Sequence, residues 1–411
     1  MTPVAGPHRP PGLVLGTGIT ALGVVRSLGR AGIPLYGLST PRGPAASSRW
    51  YRRPPHGAYL LSPAGLMDYL QALPLEKGVL FPSSDADVLA VARLPRHLKA
   101  RFPCSLSTAP ALDHVLDKGK LLRVLEARGV PHPKTMLVHG PDDDITHAYI
   151  DPDRAFIKPR ESQEFIRRFG TKAIRPTGPD DLRAKVEWMT GNGLDIMIQE
   201  YIPGPPVNHY FVDGFIDAHG VVRARLCHRR LRMFPSEFGD STAMTTVAPD
   251  ALAPAVERVE EVLGFLAYRG MYSAEFKLDD RDGVLRLLEI NARPWWYLEF
   301  AARCGLDVVL MAYRDALGLP VADAFSAKEG RHMVHLSNDA AAWRALRGSG
   351  EARRIDHLRS LVRSDWAMFA RDDPLPAITD MGGFMLQAFK RRLGARRRSG
   401  GAPPPTIAAF G

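Results

Sequence analysis

The chain of 411 residues has few cysteines and no long apolar run. Its three cysteines, Cys104, Cys227 and Cys304, are far apart and form no CxxC pair, so neither a disulfide framework nor a zinc site is expected. No uninterrupted apolar stretch is long enough to cross a bilayer, and the start, MTPVAGPHRPPG, lacks the features of a signal peptide. We therefore expect a globular protein without a membrane span, in the reducing cytoplasm.

The fingerprint of a dinucleotide-binding fold is also missing. The stretch GLVLGTGITALGVVRSLGRAGIPLYGLS is typical of one βαβ unit. Its glycines, Gly16, Gly18 and Gly23, have the spacing GxGxxxxG, and the second strand ends at Ser39 and Thr40 without the acidic residue that binds a ribose. We interpret these glycines as a tight strand-to-helix turn in a parallel sheet.

The formal net charge is +10, from 54 basic and 44 acidic residues, which favours anionic ligands without identifying one. The most basic segment, FKRRLGARRR, is followed by SGGAPPP. Such a segment is able to contact RNA or an acidic membrane. We instead expect a solvated, disordered tail, because it has too few apolar residues to fold.

The order of elements predicts α/β and α+β lobes. Alternating strands and helices in residues 1–114 predict a Rossmann-like domain. The order of strands and helices predicts a small antiparallel α+β lobe in residues 115–204 and a larger one in residues 205–324. Residues 325–411 predict a helical extension with a basic and Pro-rich tail.

One strand carries polar side chains at every second position. In LLEINARPWW, Glu289, Asn291 and Arg293 have the same parity, so in an extended chain they project to the same face. The preceding MYSAEFKLDDRDGVLRLLEI predicts a hairpin. If its turn is centred on Asp282, Glu275 lies opposite Glu289.

Two facing carboxylates repel each other and weaken a sheet unless a cation lies between them. With the amide oxygen of Asn291 they form a hard-cation site, most simply for Mg²⁺ shared with a phosphate. The alternative is a solvent-exposed sheet face with scattered charges. The apolar residues between the polar ones favour the metal.

These motifs resemble those of the ATP-grasp ligases over residues 75–320. AEFK followed by EINARP is similar to the paired metal-binding strands of that superfamily, which implies Glu275, Glu289 and Asn291 as ligands of two Mg²⁺ ions, with Mn²⁺ as an acceptable replacement. Arg293 would then face the phosphate or the carboxylate that is activated.

The resemblance also implies a nucleotide site. LDKGK and FIKPR supply lysines, and IQEYIPG resembles the hinge strand that receives adenine. The implied nucleotide-binding residues are Lys118, Lys158, Lys172, Gln199, Glu200, Tyr201, Ile202 and Asn208. Two features depart from the family pattern. The lid segment ESQEFIRRFGTK is charged and has one glycine, Gly170, and Pro206 stands where related ligases often carry an acid for the ribose, so that Asn208 is the available substitute.

A third motif, CHRRLRMFPSEFG, resembles the arginine strand of carboxylate–amine ligases and of D-aspartate ligase-like members. Arginine binds carboxylates and phosphates bidentately. By strand alternation Arg230 and Arg232 share a face while Arg229 points away, so we expect the first two to be catalytic with Arg293. A basic outer face is the alternative for each. The following WWYLEF lines either the acceptor pocket or the core.

The resemblance implies an ATP-grasp fold with an N-terminal Rossmann-like (pre-ATP-grasp) domain, two α+β subdomains that clamp ATP, and a C-terminal extension. It implies an ATP-dependent ligase that activates a small-molecule carboxylate as an acyl phosphate and joins it to an amine. The alternatives are a carboxylase-like or thiol-ligating enzyme, or a non-catalytic nucleotide-binding partner protein. Nucleic-acid binding is not expected, and a homodimer is left open.

Overall fold

A computed structural model describes most of residues 9–383. The residues outside the description are 1–8, 141, 142, 144, 146–149, 152, 153, 161–164, 166–168, 170, 236, 326–328, 349–359 and 384–411, together with the side chains of 345–348. The basic tail and most of the expected lid turn, with Gly170, therefore lie outside the described residues.

The N-terminal lobe is built on a parallel sheet in the order β2-β1-β3. Its strands are β1 (Gly12–Val14), β2 (Leu35–Gly37) and β3 (Val79–Phe81). Its helices are α1 (Ile19–Arg30), α2 (Leu66–Ala72), α3 (Asp85–Ala92) and α4 (Arg96–Arg101). Ser84 caps α3 by accepting a hydrogen bond from the Asp87 amide.

The glycine turn after β1 has a steric reason. Gly16 has φ +90°, and a Cβ atom there would lie 2.0 Å from the Ser83 hydroxyl. Its amide donates to the hydroxyl of Ser39, 2.8 Å away. The glycine therefore lets the loops after the three strands pack closely.

The small lobe contains an antiparallel sheet in the order β4-β6-β5. Helices α5 (Ala109–Leu116) and α6 (Lys118–Ala127) precede it. Its elements are β4 (Thr135–Val138), β5 (Ala155–Pro159), α7 (Pro179–Gly191) and β6 (Ile196–Glu200). One face of the sheet packs on α7 through residues such as Ile157, Ile198 and Val186, so the opposite face, with Lys158 and Gln199, is turned to the rest of the molecule.

The large sheet has eight strands, in the order β11-β10-β7-β8-β9-β13-β14 with β12 paired to β8. Its strands are β7 (His209–Ile216), β8 (Val222–Phe234), β9 (Asp240–Thr246), β10 (Gly270–Leu278), β11 (Leu285–Asn291), β12 (Ala324–Phe325), β13 (His332–Val334) and β14 (Ser364–Trp366). The remaining helices are α8 (Ala253–Phe265), α9 (Leu298–Arg303), α10 (Val308–Ala316) and α11 (Leu336–Gly348); residues 375–383 are also helical.

Successive side chains of β10 point to opposite faces of the large sheet, and each face packs in a different core cluster. Ala274 and Phe276 pack with α8 in one core cluster. On the opposite face, Met271 packs with α1, α9 and α10 in a second cluster. Glu275 lies on this second face but beyond those helices, so the fold leaves one end of the face for charged groups.

The segment after residue 324 differs from the purely helical extension that the sequence predicts. It contains α11, but β13 and β14 also extend the large sheet. The segment is anchored to α1 by Arg26, which donates to Asp373 Oδ2 at 2.9 Å. The division into four parts at residues 114, 204 and 324 stays a prediction.

Within the described part of the chain, no helix has both the length and the apolar character needed to span a bilayer.

Candidate functional site

The hairpin of β10 and β11 brings the two carboxylates together as the sequence predicts. Glu275 is directly opposite Glu289, and Ser273 is opposite Asn291. The turn itself is centred half a residue earlier than expected, since Phe276 pairs with Leu287. A bulge then inserts one extra residue into β11 and restores the pairing of the two acids.

Glu275 is held by a guanidinium and an imidazole. Its Oε1 accepts from His209 Nδ1 at 2.7 Å and from Arg230 Nη2 at 3.0 Å. Burial acts to raise the pKa of Glu275, but Arg230 and His209 outweigh it and hold that pKa below its usual range. Among the described residues no hydrogen bond reaches its second oxygen, Oε2. One oxygen is therefore fixed and the other is available.

Two lysines of the small lobe face these acids. Lys158 Nζ lies 3.7 Å from Glu289 Oε2, which is too long for a hydrogen bond. Lys118 Nζ donates to the Pro159 carbonyl at 3.0 Å. Burial, with the neighbouring charge of Lys158, lowers the pKa of Lys118 to about 8. The two lobes therefore place cations and carboxylates on opposite walls of one cleft.

Arg293 connects this cleft with the N-terminal lobe. Its Nε donates to Asp85 Oδ1 at 2.9 Å, at the start of α3, and its Nη2 donates to Asn291 Oδ1 at 3.3 Å. Asn291 in turn donates to Glu289 Oε1 at 3.3 Å. The polar side chains of LLEINARPWW thus form one chain of contacts along a single face, as their parity predicts.

The hinge strand β6 runs along the same cleft. Gln199 is buried and its amide donates to Thr135 Oγ1 at 2.9 Å, while Glu200 accepts from Arg281 Nη1 at 2.5 Å. The Tyr201 ring lies 4.6 Å from Lys277 Nζ. Ile202 is buried. The hinge therefore places the Tyr201 ring and the buried Ile202 side chain near a buried ammonium group.

The tip of the β8–β9 hairpin packs against the hinge residue Tyr201 and the small sheet. The Phe238 ring lies 4.8 Å from that of Phe156 on the cleft face of the small sheet. Two ion pairs also join the tip to the small lobe, one from Lys172 to Asp240 at 2.5 Å and the other from Arg175 to Glu237 at 2.7 Å. Lys172 is thus placed at the rim of the cleft and is half exposed.

The structure separates the two arginines that were expected to share a face. Arg230 reaches Glu275, whereas Arg232 forms a bidentate ion pair with Asp339 of α11 at 2.8 and 3.0 Å. The pairing of β8 with β9 shifts register between these two residues, so simple alternation does not hold there. The expectation of one shared surface was wrong for this reason, and a catalytic role of Arg232 stays a prediction.

The aromatic run WWYLEF lies mainly in the core. Trp295 and Tyr297 are buried in the cluster that includes α1. The Tyr297 hydroxyl makes buried hydrogen bonds with Asp213 and His228 at 3.1 and 2.9 Å. Of the two alternatives for this run, the structure supports the core.

The chain is similar in sequence to two proteins that are named as ligases. No family model matches the chain. It is 22% identical over 252 residues to D-aspartate ligase of Enterococcus faecium (strain Aus0004), a match that covers 58% of this chain and 59% of that protein. It is 26% identical over 211 residues to D-alanine–D-alanine ligase of Acidiphilium cryptum (strain JF-5), covering 50% and 68% respectively. The match therefore spans about three fifths of the length of the D-aspartate ligase.

A solved structure matches more of the chain. The ADP complex of PurK, an N5-carboxyaminoimidazole ribonucleotide synthetase, superposes with a TM-score of 0.61 at 14% sequence identity. The superposition covers 80% of this chain and 82% of that one. The chain has the ATP-grasp fold. The fold that the sequence motifs predict is thereby confirmed.

The donor set fits the Mg²⁺ ions that are associated with ATP-grasp folds. Glu275 Oε2, both oxygens of Glu289 and the Asn291 amide oxygen are hard ligands on neighbouring positions of one face. Lys158 already supplies a positive charge near Glu289. Within the described residues there is no cluster of three or more His, Cys, Asp or Glu side chains suited to a metal. Any ion here would therefore need the amide and further ligands such as phosphate oxygens.

Sequence reasoning missed two residues of this ATP-grasp cleft. His209, at the start of β7, is identifiable only from the pairing of β7 with β10, which places Lys277 opposite it and Glu275 two residues away. Lys277 has the same parity as Glu275 in AEFKL, so its position was visible in the sequence. It is 4% exposed, and burial, with the charge of Arg230, lowers its pKa to about 8.

Proposed function

We propose that this chain is an ATP-dependent carboxylate–amine ligase. A substrate carboxylate oxygen attacks the γ-phosphorus of ATP, the bond to the β-phosphate oxygen breaks, and ADP leaves. An amine then attacks the acyl carbon of the resulting acyl phosphate. Phosphate leaves, and the proton of the amine passes to solvent, giving an amide. Positioning and charge neutralisation suffice for this chemistry, so no side-chain nucleophile is needed.

One observation carries the proposal. Glu275 and Glu289, on adjacent strands of the large sheet, face Lys158 and Lys118 of the small lobe across one cleft. A triphosphate needs cations along its length and hard-cation ligands at the transferring phosphoryl group. The names of the relatives support carboxylate–amine ligation as the reaction class.

The side chains of the cleft have separable roles in this proposal. Lys118 and Lys158 bind phosphate oxygens as point charges. Lys277 and the hinge at Tyr201 and Ile202 hold the nucleoside end. Arg293, fixed by Asp85, orients the acid that is phosphorylated. Arg230 keeps Glu275 ionised and in place.

Glu275, Glu289 and Asn291 would hold Mg²⁺, which when bound neutralises charge on the transferring phosphoryl group. The chain's own residues keep this donor set oriented through three contacts. His209 and Arg230 fix one oxygen of Glu275, and the Asn291 amide donates to Glu289.

We place the activity in the cytoplasm, because Cys104, Cys227 and Cys304 are all free thiols.

The proposal is tested by trapping the acyl phosphate. The purified protein is incubated with ATP, Mg²⁺, hydroxylamine and a panel of amino acids, small carboxylates and bicarbonate, and both ADP and hydroxamate are measured. One acid should give both products, and Glu289→Gln should form both at least about 10²-fold more slowly. ATP binding without ADP release for any acid would instead support a non-catalytic nucleotide-binding protein.

A closed site excludes hydroxylamine, so oxygen transfer is the decisive second readout. With an ¹⁸O-labelled carboxylate, the released phosphate should carry one ¹⁸O atom during amide formation. Unlabelled phosphate during confirmed amide formation would rule out the acyl phosphate. Replacing the amine with a thiol in the same assay separates amide formation from the thiol-ligating alternative.

A further inference from the structure

The turn between β10 and β11 contacts the hinge through an unusual carboxylate. Asp280 is exposed, and its Oδ1 accepts a hydrogen bond from Asn208 Nδ2 at 2.7 Å. Asn208 is itself 8% exposed, and the same amide group donates to the Leu278 carbonyl at 3.2 Å. Asn208 therefore fixes the orientation of Asp280 and keeps its own amide oxygen as an acceptor.

The hinge backbone passes close to this pair. Gly204, two residues after Ile202, has φ +123°. A Cβ atom at this position would lie 2.5 Å from Asn208 Nδ2 and 3.0 Å from Asp280 Oδ2. Only glycine permits this approach without displacing the pair. Asp280 thus lies beside the segment that follows the hinge.

The other carboxylates of the hinge and the turn are engaged by arginines. Glu200 pairs with Arg281, Asp279 pairs with Arg281 and Arg286, and Asp282 pairs with Arg286. Asp280 has no ion pair with any described residue, and its hydrogen bond comes from a neutral amide. In a region rich in arginines, an exposed and oriented carboxylate that forms no ion pair with a described residue suits neutral hydroxyl donors.

We propose that Asp280, oriented by Asn208, binds the ribose of the nucleotide by accepting hydrogen bonds from its 2′ and 3′ hydroxyls. This inference rests on the proposed function. A carboxylate accepts only, and a vicinal diol presents two donors at adjacent positions, so the two groups are complementary. From the turn between β10 and β11, Asp280 then takes the part of the acid that is absent at Pro206, with the Asn208 amide oxygen as a second acceptor.

The test compares nucleotides that differ only in one hydroxyl. ATP, 2′-deoxy-ATP and 3′-deoxy-ATP are titrated calorimetrically against the wild-type protein, Asp280→Ala, Asp280→Asn and the control Asp282→Asn. In the wild type and in the control Asp282→Asn, the affinity for ATP should be at least about tenfold higher than the affinity for one or both deoxy analogues. Asp280→Ala should lose this preference through weaker ATP binding, while its affinity for the deoxy analogue changes little.

Asp280→Asn keeps the side-chain volume and replaces the alanine variant if that variant is unstable. It should lose most of the preference for ATP over the deoxy analogue, because a neutral amide oxygen is a weaker acceptor than a carboxylate. Full discrimination in Asp280→Ala or Asp280→Asn would overturn the inference, as would equal binding of all three nucleotides by the wild type. Either result leaves ATP binding intact and the proposed function standing. Failure of the wild type to bind ATP would overturn the proposed function itself.

Discussion

Two clusters of buried charge in this molecule are balanced in different ways. Where α1 meets the C-terminal segment, the fully buried Arg26 donates to Asp373 at 2.9 Å and to Glu299 at 2.5 Å. In the cleft between the small and large sheets, Lys158 lies 3.7 Å from Glu289, and the buried Lys277 has no ion pair among the described residues.

This difference separates a structural cluster from a binding cluster. Arg26, Glu299 and Asp373 have their counter-charges within hydrogen-bond distance, so removing one partner would leave a buried charge uncompensated. The cleft instead keeps Lys158 at a long contact, and burial lowers the pKa of Lys118 and Lys277. These lysines stabilise the empty protein little. Such an excess of poorly paired cations is suited to an anionic ligand, in our proposal the triphosphate.

The largest expected effect is on turnover in the cleft. Glu289→Gln removes a proposed cation ligand, so ATP turnover should fall about 10²- to 10³-fold. The only ion pair lost among the described residues is the long contact with Lys158. The free energy of unfolding should change by less than about 1 kcal/mol. Coupled ADP-release assays and urea unfolding measure the two quantities. The matched control is Glu261→Gln, which alters an exposed ion pair with Arg128. Equal turnover in the two variants would show that Glu289 is not part of the active site.

The opposite result is expected for the cluster near α1. Arg26→Met leaves the buried Asp373 without an ion pair among the described residues, while Glu299 keeps Arg30 and Arg303. The uncompensated carboxylate of Asp373 should lower the free energy of unfolding by about 3–5 kcal/mol. KM for ATP of the folded protein should stay unchanged. Urea unfolding followed by tryptophan fluorescence measures the loss. Arg128→Met, which breaks the exposed pair with Glu261, should leave the free energy of unfolding nearly unchanged. Equal losses in the two variants would mean that burial is not what distinguishes the two pairs.

The sequence predicted what depends on local pattern. The hairpin and the shared parity of Glu289, Asn291 and Arg293 follow from local pattern. The direct pairing of Glu275 with Glu289 also depends on the bulge in β11, which the local pattern did not predict. The partners of Arg26 and Arg232 lie 347 and 107 residues away, so packing decides them and no local pattern marks them. Strands of three residues, such as β13, are too short to show alternation.

The third prediction concerns pH and tests whether the cleft lysines bind the nucleotide as cations. The pKa of Lys118 is lowered to about 8 in the empty protein, and a bound triphosphate would raise it. Binding then takes up a proton, so ATP affinity should fall about tenfold between pH 7 and pH 9. In Lys118→Arg the charge persists at pH 9 and the fall should be smaller. Calorimetric titrations across this range measure it, and a pH-independent affinity in the wild type would contradict the assignment.

The smallest effect provides the most direct comparison of the two clusters. The folded-state pKa of Lys277 is about 8, below the ordinary value of 10.5, so the folded protein binds its proton less tightly than the unfolded chain does. This proton destabilises the fold at pH 7, and stability should rise as the pH increases through 8 toward 10.5.

Lys277→Met removes the buried charge and keeps most of the contact with the Tyr201 ring. At pH 7 it should raise the free energy of unfolding by about 1 kcal/mol, since the relieved desolvation exceeds the lost cation–π contact. The same variant should bind ATP more weakly. Urea unfolding at pH 7 and pH 10 measures the first effect, which should vanish at the higher pH, and calorimetry measures the second. A destabilised variant with unchanged ATP affinity would place Lys277 with Arg26, among the charges that hold the fold together.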